Sequence, residues 1–415
     1  MAPLGFRVSA DGRTCVKMSS GGLEFFEDGN LSTAKASVPL PGLVDVALSR
    51  QPEKAMIVRA RRGSPAPGLE VQRWNLRTMR PDGSAFVIPS WDQWSKLFSP
   101  DGSILGLFTA QALGGSYRVL DASSGALLYE FAAATNTAMW ACSGDGSLLA
   151  VAATNNVHLL EAATGRQRHV LPHGERVQSC TFSPDDRRLL VTCRDELIRP
   201  CAAYVWDVRQ GMKVSPPLRH FDGIYSGSFS PDERRAVTTG EDYIAQLWDT
   251  RTWRCYARLG HESQVLSSAF STDGTLVATG DAQQQVRIWD ALTGESVAPP
   301  IWNYFNSWTV RILPGNEYLF GASRQGQTRI WHLAPSLPAP LDTADLALLS
   351  SLLSCHRSDS SGVAIPLGTA QIEAAWTNLS VKFPTLFSVS DQEIASWEAR
   401  ERALREKFAP TRSGH

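Results

Sequence analysis

The chain of 415 residues is long enough for two or three ordinary domains, or for one large all-β domain with an appendage. Its 40 basic residues against 41 acidic ones leave a formal charge of −1, which argues against a nucleic-acid binder held by phosphate neutralisation. Seven scattered cysteines without a C-x-x-C pair suit a reducing compartment, and no run approaches the roughly 18 apolar residues of a membrane span, so a cytoplasmic protein off the membrane is expected.

From the N-terminus onward a polar turn recurs eight times: SADG at 9–12, a degraded SRQPE at 49–53, SPDG at 99–102, SGDG at 143–146, SPDD at 183–186, SPDE at 230–233, STDG at 271–274 and LPGN at 313–316. A second landmark follows each turn: Phe26-Glu27, Trp74-Asn75, Leu120-Asp121, Leu160-Glu161, Trp206-Asp207, Trp248-Asp249, Trp289-Asp290 and Trp331-His332. The landmarks advance by about 40–48 residues, the period of a propeller blade of four strands.

Between landmarks the apolar residues alternate, as at Leu276 and Ala278 and again at Val286 and Ile288, which is the period-2 mark of a half-buried strand. Asp-Gly and Pro-Asp pairs supply the turns. A unit this small cannot bury a face alone, so neighbours must pack into a ring. The expected fold is an all-β propeller over residues 1–340 with a helical C-terminal extension over 341–415. Eight blades are expected, the last three-stranded or closed by residues 1–5; the alternative is a seven-bladed ring with an irregular first or second unit. The three prolines of APSLPAPLD, after Trp331, make a poor closing strand because each lacks an N–H donor.

With FSPDG, VWD and the run LGHESQVLSSAFSTDGTLVATG in view, the chain resembles the WD-repeat β-propeller family over roughly residues 1–334. The resemblance implies a hydrogen-bonded tetrad: a His before the first strand, a Ser or Thr in the second, an Asp in the following turn and the strand-ending Trp. In the sixth unit it points to His220, Thr238 or Thr239, Asp242 and Trp248, and of the two threonines Thr239 is assigned. The seventh unit keeps His261, Thr279 and Trp289 but has Gln283 where Asp is expected. The eighth has Gln325 there, and the fifth keeps His173 and Trp206 but has Pro200. These histidines are read as structural, since a buried imidazole wants a partner for each ring nitrogen.

In the tail, Leu346, Leu349, Leu352 and Leu353 fall at helical spacing, Thr369 caps the QIEAAW segment, and Glu398–Lys407 reads as a charged helix. This order resembles the segment that follows the propeller in large bacterial WD-repeat proteins, many of them fused to Ser/Thr protein kinases, and so implies kinase-linked signalling. No Gly-rich phosphate loop, HRD or DFG occurs, so the kinase itself is absent.

No nucleophile, metal-ligand set or acid pair has useful spacing. His158, His169 and His173 are close in sequence, but no helix holds them together. A non-enzymatic protein with no metal and no cofactor is expected. The runs LEAATGRQ and WDALTGES resemble quinoprotein repeats, yet their glycines equally suit the turn between third and fourth strands.

Function has to be argued from sites and not from the fold. In the family, the connections from second to third strand and from fourth strand to the next blade share one face. Long connections are expected at 59–70, 109–116 and 193–203, bringing Arg59, Arg61 and Arg62 and also Arg194 and Arg199. Aromatic runs, SWDQWSK at 90–96 and IWNYFNSW at 301–308, lead into units three and eight. The expected partner-binding patch is Trp91, Trp94, Trp302, Tyr304 and Trp308 with Arg59, Arg61 and Arg62, and its partner is a protein, with neither nucleic acid nor membrane involved. The competing reading is a sensor that binds a small ligand in the central channel, beside Thr181, Ser228 and Ser268.

Overall fold

The computed structural model describes residues 5–9, 14–19, 22–27, 34–41, 43–48, 54–60, 69–88, 94–111, 114–133, 140–153, 155–194, 200–302, 309–323, 328–333, 348, 356–358, 364–366 and 368–382. The polar turn is organised by one hydroxyl. Ser99, Ser143, Ser183 and Ser271 each accept the N–H five residues on at 2.9 Å, and Ser230 does so at 3.0 Å. Each of these hydroxyls donates to the Asp two residues on, at 2.5–2.6 Å. Backbone donors that the reversal would strand are thereby satisfied, and a strand leaves in each direction. The landmark Asp does the same for the next turn: Asp121, Asp207, Asp249 and Asp290 each accept the N–H groups two and three residues on.

Eight antiparallel meanders result, and they are the blades of a propeller. Their inner strands are Gly5–Val8, Leu43–Leu48, Trp94–Phe98, Trp140–Cys142, Val177–Phe182, Ile224–Phe229, Val265–Phe270 and Thr309–Ile312. Blades 1 to 7 add three further strands, the outer one being split in blades 2 and 5, and blade 8 has three strands among the described residues, the last being Thr328–His332. The 109–116 segment is mostly strand and not a long loop, because Ile104–Gln111 and Gly114–Asp121 pair almost to their tips.

The core lies between blades. Val16 and Phe25 of blade 1 pack with Ile57 and Trp74 of blade 2, and Val237 and Leu247 of blade 6 with Val277 and Trp289 of blade 7. Ala278 and Ile288 then meet Val310 and Leu319 of blade 8. The ring closes where the inner strand of blade 1, which pairs within its own sheet, lies against the third strand of blade 8; among the described residues no strand from one chain end pairs into the blade of the other.

Side chains also stitch neighbouring turns together. The fourth turn position has left-handed backbone, and Gly fills it at 102, 146 and 274, while Asp186, Glu233 and Asn316 stand there with φ of 60°, 59° and 59°. Those three non-glycines reach the preceding blade: Asp186 accepts the Gly144 and Asp145 N–H groups at 2.6 and 2.9 Å, Glu233 accepts the Asp185 N–H at 2.7 Å, and Asn316 donates to Asp273 at 2.9 Å. Left-handed backbone costs a β-carbon roughly 1–2 kcal/mol, which the crossing bonds offset.

Contacts divide the chain into Met1–Leu333 and Ala334–His415. In the second unit His356–Ser358 pairs with Ala364–Pro366, and a helix runs over Thr369–Lys382. Thr369 is its first residue and not its cap. Gly368 holds the cap position, its carbonyl accepting the first helical bonds while the Gln371 side chain reaches back to its N–H at 3.0 Å. Ala375 and Leu379 are the helix's buried residues. The expected Glu398–Lys407 helix lies outside the described residues.

Candidate functional site: the histidine edge

One edge of the ring carries the turns between second and third strands together with the connections into each next blade. In blade 6 the Trp248 indole N–H donates to Thr238 Oγ1 at 2.9 Å, and Thr238 Oγ1 lies 2.8 Å from His220 Nε2. The Asp242 carboxylate, 3.0 Å from Nδ1, can only accept, so Nδ1–H donates to it; in the neutral ring Nε2 then accepts the Thr238 hydroxyl hydrogen while Oγ1 accepts the indole N–H. Burial alone would raise the Asp242 pKa, but the bonds it accepts from His220 and from the Phe221 and Ile244 N–H groups outweigh it and hold the carboxyl below its ordinary value.

The assignment of Thr239 is corrected by this geometry. Thr238 is registered opposite Gln246 and Ala236 opposite Trp248, so the Trp side of the sheet receives residue 238 and turns residue 239 to the other face. Thr239 instead sits 2.8 Å from Ser226 Oγ, as Thr192 sits 2.7 Å from Ser179 one blade earlier.

Blade 7 is also complete, contrary to the reading of Gln283. His261 Nε2 lies 2.8 Å from Thr279 Oγ1, which accepts the Trp289 N–H at 2.7 Å, and His261 Nδ1 faces Asp281 Oδ2 at 3.1 Å. Register equates Asp281 with Gly240 and Gln283 with Asp242. A β-carbon on Gly240 would fall 2.6 Å from both Asp242 Oδ1 and His220 Nδ1. Residue 240 thus points into the carboxylate site, and blade 7 fills that site from the strand end instead of the turn. Asp281 accepts the Gln285 N–H at 2.8 Å, as Asp242 accepts that of Ile244.

Blade 5 breaks the pattern. The residue registered with Thr238 is Val191, whose methyl stands where a hydroxyl belongs. His173 Nε2 and Trp206 Nε1 are accordingly buried with no partner among the described residues, and His173 Nδ1 has only Cys193 Sγ at 3.6 Å. Val191→Thr is nearly isosteric and supplies both missing bonds, so it is expected to stabilise the propeller by about 1–3 kcal/mol, read as a raised urea midpoint. Burial, with the nearby Lys213 charge, lowers the His173 pKa to about 4. Because the unfolded imidazole titrates near 6.5, this contribution is complete above pH of about 6.5 and is lost as pH falls toward 4. Urea midpoints should fall across that window, and His173→Gln should flatten the fall.

Of the expected partner-binding residues, Trp302 is the one whose side chain is placed in the open. It ends the outer strand of blade 7, opposite Gln285 at the start of the third strand, and is 62% exposed. Trp94 lies in the inner strand of blade 3. Arg59, at the histidine edge of blade 2, is half-buried and bound to Glu70 of the neighbouring strand; blades 8 and 1 separate it from Trp302. Trp91, Tyr304, Trp308, Arg61, Arg62, Arg199 and Gln325 lie outside the described residues. Two aromatics that sequence reasoning passed over stand on the same edge: Phe221, 77% exposed, and Tyr243, 50% exposed. Their signal was their place beside His220 and Asp242.

The channel reading gains nothing from the inner strands. Ser228 and Ser268 hydroxyls are buried without partners among the described residues, but register equates Ser228 with Ala269 and Ser268 with Gly227, so the two point to opposite faces of their sheets. No group of three or more His, Cys, Asp or Glu placed to hold a metal occurs among the described residues.

The family profile of the WD domain, G-beta repeat, matches residues 165–199, 216–249 and 253–290. The last two stretches end at the Trp-Asp landmark, so the repeat runs from one outer strand through the third strand of the next blade. The chain is 29% identical to Protein tipD of Dictyostelium discoideum over 73 residues, 18% of this chain and 12% of that protein. It is 25% identical to Autophagy-related protein 16 of Arabidopsis thaliana over 196 residues, 45% of this chain and 37% of that protein. The matched regions thus span well under two thirds of these relatives. The crystal structure of the computationally designed Ika8 protein is similar with a TM-score of 0.58 at 16% identity, covering 80% of this chain and 96% of that one, a likeness of fold alone. The chain carries WD40 repeats on an eight-bladed propeller, a fold typical of protein-interaction scaffolds.

Proposed function

We propose that the protein is a non-catalytic interaction module that presents its histidine edge to a protein partner. The observation that carries this reading is the exposure of three large aromatic side chains, Phe221, Tyr243 and Trp302, along the edge of blades 6 and 7. Aromatic residues dominate binding hot spots because each offers a large rigid contact area at small entropic cost. The tetrads beneath fix the backbone from which the rings project. A near-neutral chain favours a protein partner over nucleic acid, the scattered cysteines support a cytoplasmic setting, and the tail's resemblance supports a place in kinase-linked signalling. Trp302→Ala is expected to abolish partner capture from native lysate, read by mass spectrometry, while leaving the melting temperature unchanged; capture that survives the substitution overturns the role of Trp302.

A further inference from the structure

The chemistry of that edge narrows the kind of partner. Phe221 follows the tetrad histidine, and its N–H donates to Asp242 Oδ2 at 3.2 Å; Tyr243 follows Asp242 itself. Both rings therefore rise from backbone held by one carboxylate. The Tyr243 carbonyl in turn accepts the His261 N–H at 2.9 Å, which brings Glu262, the blade 7 counterpart of Phe221, to the same stretch of edge. Tyr243 has φ of 66°, left-handed backbone that a bulky residue adopts at a cost, so an aromatic is kept where glycine would sit unstrained.

Charge on this stretch is net acidic, even with Arg194 and Arg287 reaching in from beside it. The edge segments of blades 6 and 7, residues 219–223, 241–243, 260–264 and 281–284, hold five carboxylates, Asp222, Glu241, Asp242, Glu262 and Asp281, against one guanidinium, Arg219. Two of the carboxylates face tetrad histidines, and Glu241 holds Arg194 of blade 5. Glu262 is different: its side chain is 67% exposed, and its ion pair with Arg287 is long at 3.7 Å. A cation over an aromatic face gains from the ring quadrupole, and a carboxylate beside the ring adds to that gain.

We propose that the histidine edge of blades 6 and 7 receives a basic segment of its protein partner, with a Lys or Arg side chain seated against Phe221 and Tyr243 and facing Glu262. The proposal rests on the interaction reading above and specifies the chemistry of what binds.

The test uses the full chain and three fluorescent 12-residue peptides: one of Lys, Arg, Gly and Ser, one with Glu replacing every Lys and Arg, and one of Gly and Ser alone. Fluorescence anisotropy should show that the basic peptide alone binds. Phe221→Ala, Tyr243→Ala and Glu262→Gln should each weaken it at least fivefold, and rising salt should weaken it further, with melting temperatures unchanged. A basic peptide that does not bind, or that binds all three variants as well as the parent, overturns the proposal. So does binding of the acidic peptide with equal strength. Partner capture that is lost in Trp302→Ala yet insensitive to Phe221→Ala and Glu262→Gln leaves the interaction reading standing and removes this inference.

Discussion

Asp281→Gly should destabilise the propeller by about 3–5 kcal/mol, and adding Gln283→Asp should recover more than half of that loss. The single substitution strands two buried donors, His261 Nδ1–H and the Gln285 N–H, each worth about 1–3 kcal/mol when left unpaired. The double variant rebuilds in blade 7 the arrangement of blade 6, with glycine at the strand end and Asp in the turn. Urea denaturation of both variants checks this, and a double variant no more stable than the single would show that the carboxylate cannot be supplied from the turn there.

Thr238→Val should cost about 2–5 kcal/mol. The change alters almost no volume, so cavity formation contributes little, and the loss reports two stranded groups, His220 Nε2 and the Trp248 indole. Thr239→Val, one residue on, loses one hydroxyl contact with Ser226 and should cost under half as much. Equal effects at the two positions would sink the assignment of Thr238. Blade 5 supplies a natural reference, since Val191 already leaves His173 and Trp206 in that condition.

The eight-bladed ring was legible because its two landmarks each have a local cause. A Ser hydroxyl folds the first turn and an Asp carboxylate caps the second, so both recur wherever the backbone repeats. The tetrad was legible only in part. Choosing Thr238 over Thr239 needs the cross-strand register, which the sequence leaves open by one residue. Asp281 escaped because a carboxylate was sought at a fixed turn position, whereas the site can be entered from residue 281 or 283; that Asp281 is the single acid in TGDAQQQ was the available clue. The partner patch was least legible, since exposure depends on neighbouring blades. Phe221 and Tyr243 belong to no aromatic run, and Arg59, which read as a loop residue, is tied to Glu70.

From blade 5 onward the stitches between turns have a direction. Asp186 grips a turn of blade 4, Glu233 one of blade 5 and Asn316 one of blade 7, and in every case the gripping side chain is the later in the chain. Blades 5, 6 and 8 thus each supply the side chain that holds the turn of the blade before, while blade 7, with Gly274 at that position, does not.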